Sequence, residues 1–106
     1  MANDFSEKVE FSGFKGIDEP AMADVQASVK KKLKRLAEVC KGIEKLTVQL
    51  KKVHALPRSE KYEVHTRLIV AKGKAYTSTI TDYNLLFAIE ATLENIESEA
   101  CKERVL

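Results

Sequence analysis

A chain of 106 residues, 44% hydrophobic and 32% charged, suffices for one domain with its own core, spanning residues 1–106. Two cysteines make neither a disulfide framework nor a metal cluster. Apolar runs as short as Leu68-Ile69-Val70-Ala71 exclude a bilayer span, and MANDFSEKVEF lacks the basic and apolar regions of a signal peptide. The net charge of +2 hides a polarised distribution: residues 30–74 hold fourteen Lys or Arg against four Asp or Glu, while residues 1–29 and 75–106 each sum to −4. A concentrated basic segment is the electrostatic mark of a polyanion binder.

The first seven residues are expected to fray and be disordered. Lys8 to Phe14 alternates apolar and polar side chains, as a half-buried strand does, and Lys15-Gly16 breaks it. Asp18-Glu19-Pro20 signals a helix start. Met22, Val25, Val29, Leu33, Leu36 and Cys40 then form one apolar stripe, predicting an amphipathic helix over about 20–40 that Gly42 terminates. Ile43 to His54 alternates, with Leu46, Val48 and Leu50 on one face and Thr47, Gln49 and Lys51 on the other. Ala55 to Glu60 reads as a loop. Lys61 to Ala71 is a second alternating strand, which puts Tyr62, Val64, Thr66, Leu68 and Val70 together. Lys72-Gly73-Lys74 is a tight hairpin signal, and Ala75 to Thr81 a strand with Tyr76, Ser78 and Ile80 inward. Asp82-Tyr83-Asn84 offers caps for a last helix carrying Leu86, Ile89, Leu93 and Ile96. The order β-α-β-β-β-α predicts an α+β fold, a four-stranded sheet with two helices packed on one face and the other face in water.

The candidate chemistry is cationic. Lys30, Lys31, Lys34 and Arg35 lie on the solvent side of the first helix, and Lys51, Lys52, Arg58, Arg67, Lys72 and Lys74 add charge from strands and loops. Such a surface suits a folded phosphate backbone, with affinity driven by counterion release; a lysine-rich helix face alone serves equally to keep a protein soluble. The outward row of the sheet offers His65 and Arg67 but no aromatic pair, so shape and phosphate recognition is expected rather than base reading. His54 and His65 have no partnered nucleophile or further metal ligands, and neither glycine cluster has the G-K-[ST] order of a nucleotide loop. These features predict no catalysis, no metal and no cofactor. Glu90, Glu94 and Glu97 recur along one face of the second helix, as a solvated stripe or as a docking strip for a basic protein.

Two segments carry a family resemblance. Val29-Lys-Lys-Lys-Leu33-Lys-Arg-Leu36 matches V-x-K-K-L-x-K-L, and Asn84-Leu-Leu-Phe-Ala88-Ile89-Glu90 is similar to D-x-Y-x-A-I-D, with Asn84 for the capping Asp and Leu86 for the Tyr. In their order and spacing the elements resemble the ribosome hibernation-promoting factors, also described as ribosome-associated inhibitors and sigma-54 modulation proteins, over roughly residues 8–100. The length fits the short form. The second helix ends in Glu97-Ser-Glu99-Ala-Cys-Lys-Glu-Arg-Val-Leu106, where the family often has a basic tail. The resemblance implies a cytoplasmic, non-enzymatic, monomeric protein. It would bind rRNA of the small ribosomal subunit in the messenger and transfer RNA channel and silence translation under stress or in stationary phase, with no membrane and no small-molecule substrate. On that reading the ten cations above would contact rRNA. The competing reading is a divergent, non-enzymatic module of the same fold that binds a protein through its acidic second helix.

Overall fold

The computed structural model of the chain describes the backbone of residues 8–40, 42–56 and 59–105, and the side chains of 8–40, 42–53 and 61–102. The elements run β1 (Val9–Ser12), α1 (Glu19–Val39), β2 (Ile43–Leu56), β3 (Ser59–Val70), β4 (Ala75–Asp82) and α2 (Leu85–Val105). The four strands lie in sequence order in one sheet, β1 parallel to β2 and the rest antiparallel. A parallel β1–β2 pair demands a crossover, and α1 supplies it. The expected order of elements and the α+β architecture are those observed. The expected fraying of residues 1–7 concerns positions outside the described residues.

Each element follows from its side chains. Val25, Val29, Leu33 and Leu36 are the buried stripe of α1, and Ile89, Leu93 and Ile96 that of α2. Both stripes meet Leu46, Val48, Leu50, Val64 and Leu68 of the sheet in one core, so both helices cover the same sheet face. Each of these large side chains, fully buried, contributes about 1.5–3 kcal/mol relative to exposure. Asn84 caps α2 by accepting the Phe87 N–H at 3.0 Å, and Asp82 accepts the Asn84 N–H at 2.8 Å. One polar pair is buried in the core: Thr66 and Thr92 share a 2.8 Å hydrogen bond, and Thr92 also donates to the Ile89 carbonyl.

Left-handed backbone recurs in the connections, and two of them matter most here. Gly13, at φ +82°, follows β1 against the Leu50 carbonyl, where a Cβ would collide with backbone. Between β3 and β4 the expected hairpin is a single 3-10 turn, Ala71–Gly73, with Lys72 itself at φ +72°. The segment Ala55–Glu60, expected as a loop, is strand on both sides: β2 runs to Leu56 and β3 begins at Ser59, with Leu56 opposite Ser59. The proline and polar residues there outweigh the alternation in a sequence window, but two strands already paired over many residues carry the pairing on to Leu56 and Ser59, with a register shift between His54 and Leu56.

Candidate nucleic-acid interface

Six consecutive positions of α1, Lys30 to Arg35, hold five cations around Leu33. With 3.6 residues per turn, Leu33 faces the core and the cations divide around the helix. Lys32 and Arg35 fall on the side toward α2; Lys30 and Lys34, four apart, share the side away from it, and Lys31 lies on the crest between. The two sides have different electrostatics.

On the α2 side three polar groups of α1 are matched. Ser28 Oγ donates to Glu90 Oε2 at 2.9 Å, Lys32 Nζ to Glu94 Oε2 at 3.4 Å, and Arg35 Nε to Glu97 Oε2 at 3.0 Å. Each pair is separated by 62 residues. The constant offset follows from topology: α1 runs antiparallel to β2, α2 runs antiparallel to β4, and β2 and β4 point the same way, so the helices are parallel. The intervals of four and three in Ser28-Lys32-Arg35 are repeated in Glu90-Glu94-Glu97, and parallel helices bring like intervals into register. The acidic stripe of α2, read from sequence as a solvated face or a docking strip, is the partner of α1.

The far side of α1 has no such match. Lys30, Lys31 and Lys34 are exposed, and none has a carboxylate partner among the described residues. Three ammonium groups within one and a half turns, none in a described ion pair, form a cluster of positive charge.

The remaining predicted cations are spread over three other places. Lys51 and Arg67 project from the outer sheet face, the side opposite the helices, in rows with Thr47, Gln49, Thr77 and Thr79. On that face His65 Nδ1 lies 3.0 Å from Thr79 Oγ1 and its Nε2 3.3 Å from Glu63, while Lys45 pairs with Glu10 at 2.7 Å. Lys52 has the parity of the inner face and lies beside Gly16. Lys72 and Lys74 stand at the β3–β4 turn, seven strand residues from the row of Lys51, roughly 23 Å at 3.3 Å per residue. Arg58 lies outside the described residues. The structure thus groups Lys30, Lys31 and Lys34, sets Arg35 beside them in an ion pair, and places Lys51, Lys52, Arg67, Lys72 and Lys74 on other elements and turns.

Among the described residues the outer sheet face carries no exposed Phe or Tyr. The exposed aromatics among the described residues, Tyr83 and Phe87, sit at the start of α2, with Lys61 Nζ 5.1 Å over the Tyr83 ring. Tyr76, on the inner side of β4, has its phenol raised above the ordinary value by partial burial and then by the charges of Cys40 and Glu99. Among the described residues no three His, Cys, Asp or Glu side chains are grouped to hold a metal ion, and no helix is long and apolar enough to cross a membrane.

No protein-family model matches the sequence, and no curated protein matches it. In three dimensions the chain is similar to a ribosomal subunit interface protein from Coxiella burnetii, with a TM-score of 0.64 at 14% identity over 92% of this chain and 98% of that one. It is also similar to the N-terminal domain of Protein Y from Thermus thermophilus, with a TM-score of 0.53 at 18% identity over 90% and 94%. At such identities the likeness is one of fold, and the β-α-β-β-β-α arrangement expected from the periodicity of the sequence is shared with a ribosomal subunit interface protein.

Proposed function

We propose that this chain binds the small ribosomal subunit through rRNA and silences translation, one copy occupying the channel that messenger and transfer RNA would use. It acts in the cytoplasm, as a rigid cationic wedge and without catalysis. The observation that carries this reading is the uncompensated lysine group of α1, Lys30, Lys31 and Lys34, on a fold shared with a ribosomal subunit interface protein. A basic segment that served only for solubility would not need its charge sorted, with two cations neutralised toward α2 and three left free on one side. Lysine ammonium groups on a helix suit phosphate oxygens as point charges and carry no base code, so the contact is one of shape and backbone. Lys51, Lys52, Arg58, Arg67, Lys72 and Lys74 are proposed as further rRNA contacts, reached where a concave RNA surface wraps the domain; Arg35 contributes from within its pair with Glu97.

The competing reading, a protein partner on the acid stripe of α2, is weakened by the engagement of Glu90, Glu94 and Glu97 with α1. The deciding experiment is co-sedimentation of the purified chain with isolated small and large subunits at about 50 and about 200 mM salt. The three free lysines of α1 alone, at a slope of about −0.9 each, predict a loss of affinity for the small subunit of at least roughly 40-fold across that interval, and each further phosphate contact steepens it. Co-migration with large subunits alone, or binding indifferent to salt, would overturn the reading.

A further inference from the structure

The sheet ends differently on its two sides. One edge, β1, has four residues; the other, β4, has eight. Proteins guard long edges with proline, lysine or a bulge. Ala75-Tyr-Thr-Ser-Thr-Ile-Thr-Asp82 contains no proline, no glycine and no charge before Asp82, and its register with β3 is unbroken. It is rich in the residue types that favour strands.

The backbone direction at this edge follows from one bond. Val70 N–H donates to the Lys74 carbonyl at 2.9 Å, and residues 70 and 74 continue the β3–β4 register. In an antiparallel pair bonded and non-bonded positions alternate. Tyr76, Ser78 and Ile80 therefore exchange hydrogen bonds with β3, while the N–H and C=O groups of Ala75, Thr77, Thr79 and Thr81 point outward from the edge.

We propose that β4 pairs antiparallel with β4 of a second copy of this chain, about a two-fold axis through Ser78, to give a continuous eight-stranded sheet. Outward-bonding residues must face outward-bonding residues, which permits only registers that shift by two. The register centred on Ser78 pairs Thr77 with Thr79 of the second copy and uses the whole strand. It also sets Tyr76 against Ile80, an aromatic and β-branched pair, and Lys74 against Asp82, an opposite-charge pair, each occurring twice by symmetry. A shift by two residues either way removes Lys74 from Asp82. The complementarity is thus written into one register only. Tyr76 and Ile80 are half-buried at the free edge and would be covered by the second strand. Asn95 Nδ2 donates to Ser78 Oγ at 3.0 Å, so α2 reaches over β4 from the β3 side and the two α2 helices would flank the axis. The pairing belongs to the free chain and stands independently of the ribosomal reading.

The test begins with sedimentation equilibrium of the unmodified chain: the mass should rise from 11.9 kDa to twice that as concentration increases. A monomer at every concentration up to about 1 mM would overturn the proposal. The register is tested by Ser78→Cys in a Cys101→Ser background. Non-bonded residues on the axis place their Cα atoms about 4.5 Å apart, within reach of a disulfide, whereas Thr77→Cys would face residue 79. Mild oxidation should give a covalent dimer with Ser78→Cys and far less with Thr77→Cys. The reverse order, in variants with unchanged circular dichroism, would overturn the register. Asp82→Lys alone should weaken association at least 5-fold, and Lys74→Asp with Asp82→Lys should restore it.

Discussion

The two sides of α1 carry cations from the same short run of sequence and put them to different uses. Lys32 and Arg35 meet Glu94 and Glu97 of α2, and Lys30, Lys31 and Lys34 meet solvent. The first pair registers two parallel helices; the second group is free to attract a polyanion. A run of positive charge is therefore not yet a binding site. What makes it one is the subset that the fold leaves unneutralised, and that subset is decided by the helix opposite.

The largest effect should come from reversing the free side. Lys30→Glu with Lys31→Glu and Lys34→Glu changes the local charge by six units without touching the core or the ladder to α2. Small-subunit binding should fall by more than about 100-fold and the salt slope should flatten by about 3, one for each lost phosphate contact, while the thermal midpoint moves little. Unchanged co-sedimentation would remove this side of α1 from the interface and leave the outer sheet face, with Lys51 and Arg67, as the remaining candidate.

Reversing the neutralised side should act on stability first. Lys32→Glu with Arg35→Glu sets like charges against Glu94 and Glu97 along the whole interhelical groove. The pairs are partly exposed, Arg35 at 66% and Glu94 at 66%, so each contributes only about 0–1 kcal/mol. Loss of both, with repulsion of similar size, predicts roughly 1–2 kcal/mol of destabilisation by denaturant titration. Adding Glu94→Lys and Glu97→Lys should recover it. A variant that loses rRNA binding completely while keeping its stability would erase the distinction between the two sides.

The architecture was legible because each element is specified locally. The stripe Val25, Val29, Leu33, Leu36 and the alternation Leu46, Val48, Leu50 are periodic enough to fix element type and inward face. Asn84, a plausible cap by residue type, is one by geometry. The stretch around Ala55 and Ser59 reads as a loop in sequence because local turn residues say nothing of a ladder held by pairing elsewhere. The charges of α1 and α2 were each visible, and so were their matching intervals of four and three. What composition does not contain is that the helices are parallel and adjacent, and without that the 62-residue offset has no meaning. The ten candidate cations have in common only their place in a basic segment. A sheet sends neighbouring residues to opposite faces, so Lys51 and Lys52 part company as soon as the strand forms.

The smallest effect is also the most discriminating, because it adds affinity instead of removing it. Glu94→Gln and Glu97→Gln keep the shape of α2 and its hydrogen-bonding capacity but release the charge of Lys32 and Arg35. The stability change should stay below about 1 kcal/mol, since exposed pairs contribute little. If the RNA surface wraps α1 beyond Lys31, the two released cations become new phosphate contacts. Small-subunit affinity should then rise several-fold at low salt, and the slope of log K against log salt should steepen by about 1 to 2. If the surface touches only the side of Lys30 and Lys34, affinity should rise slightly and the slope should not change, because charge at a distance is screened within about 10 Å at 0.1 M salt. The slope, more than the affinity, therefore measures how far around the helix the partner extends.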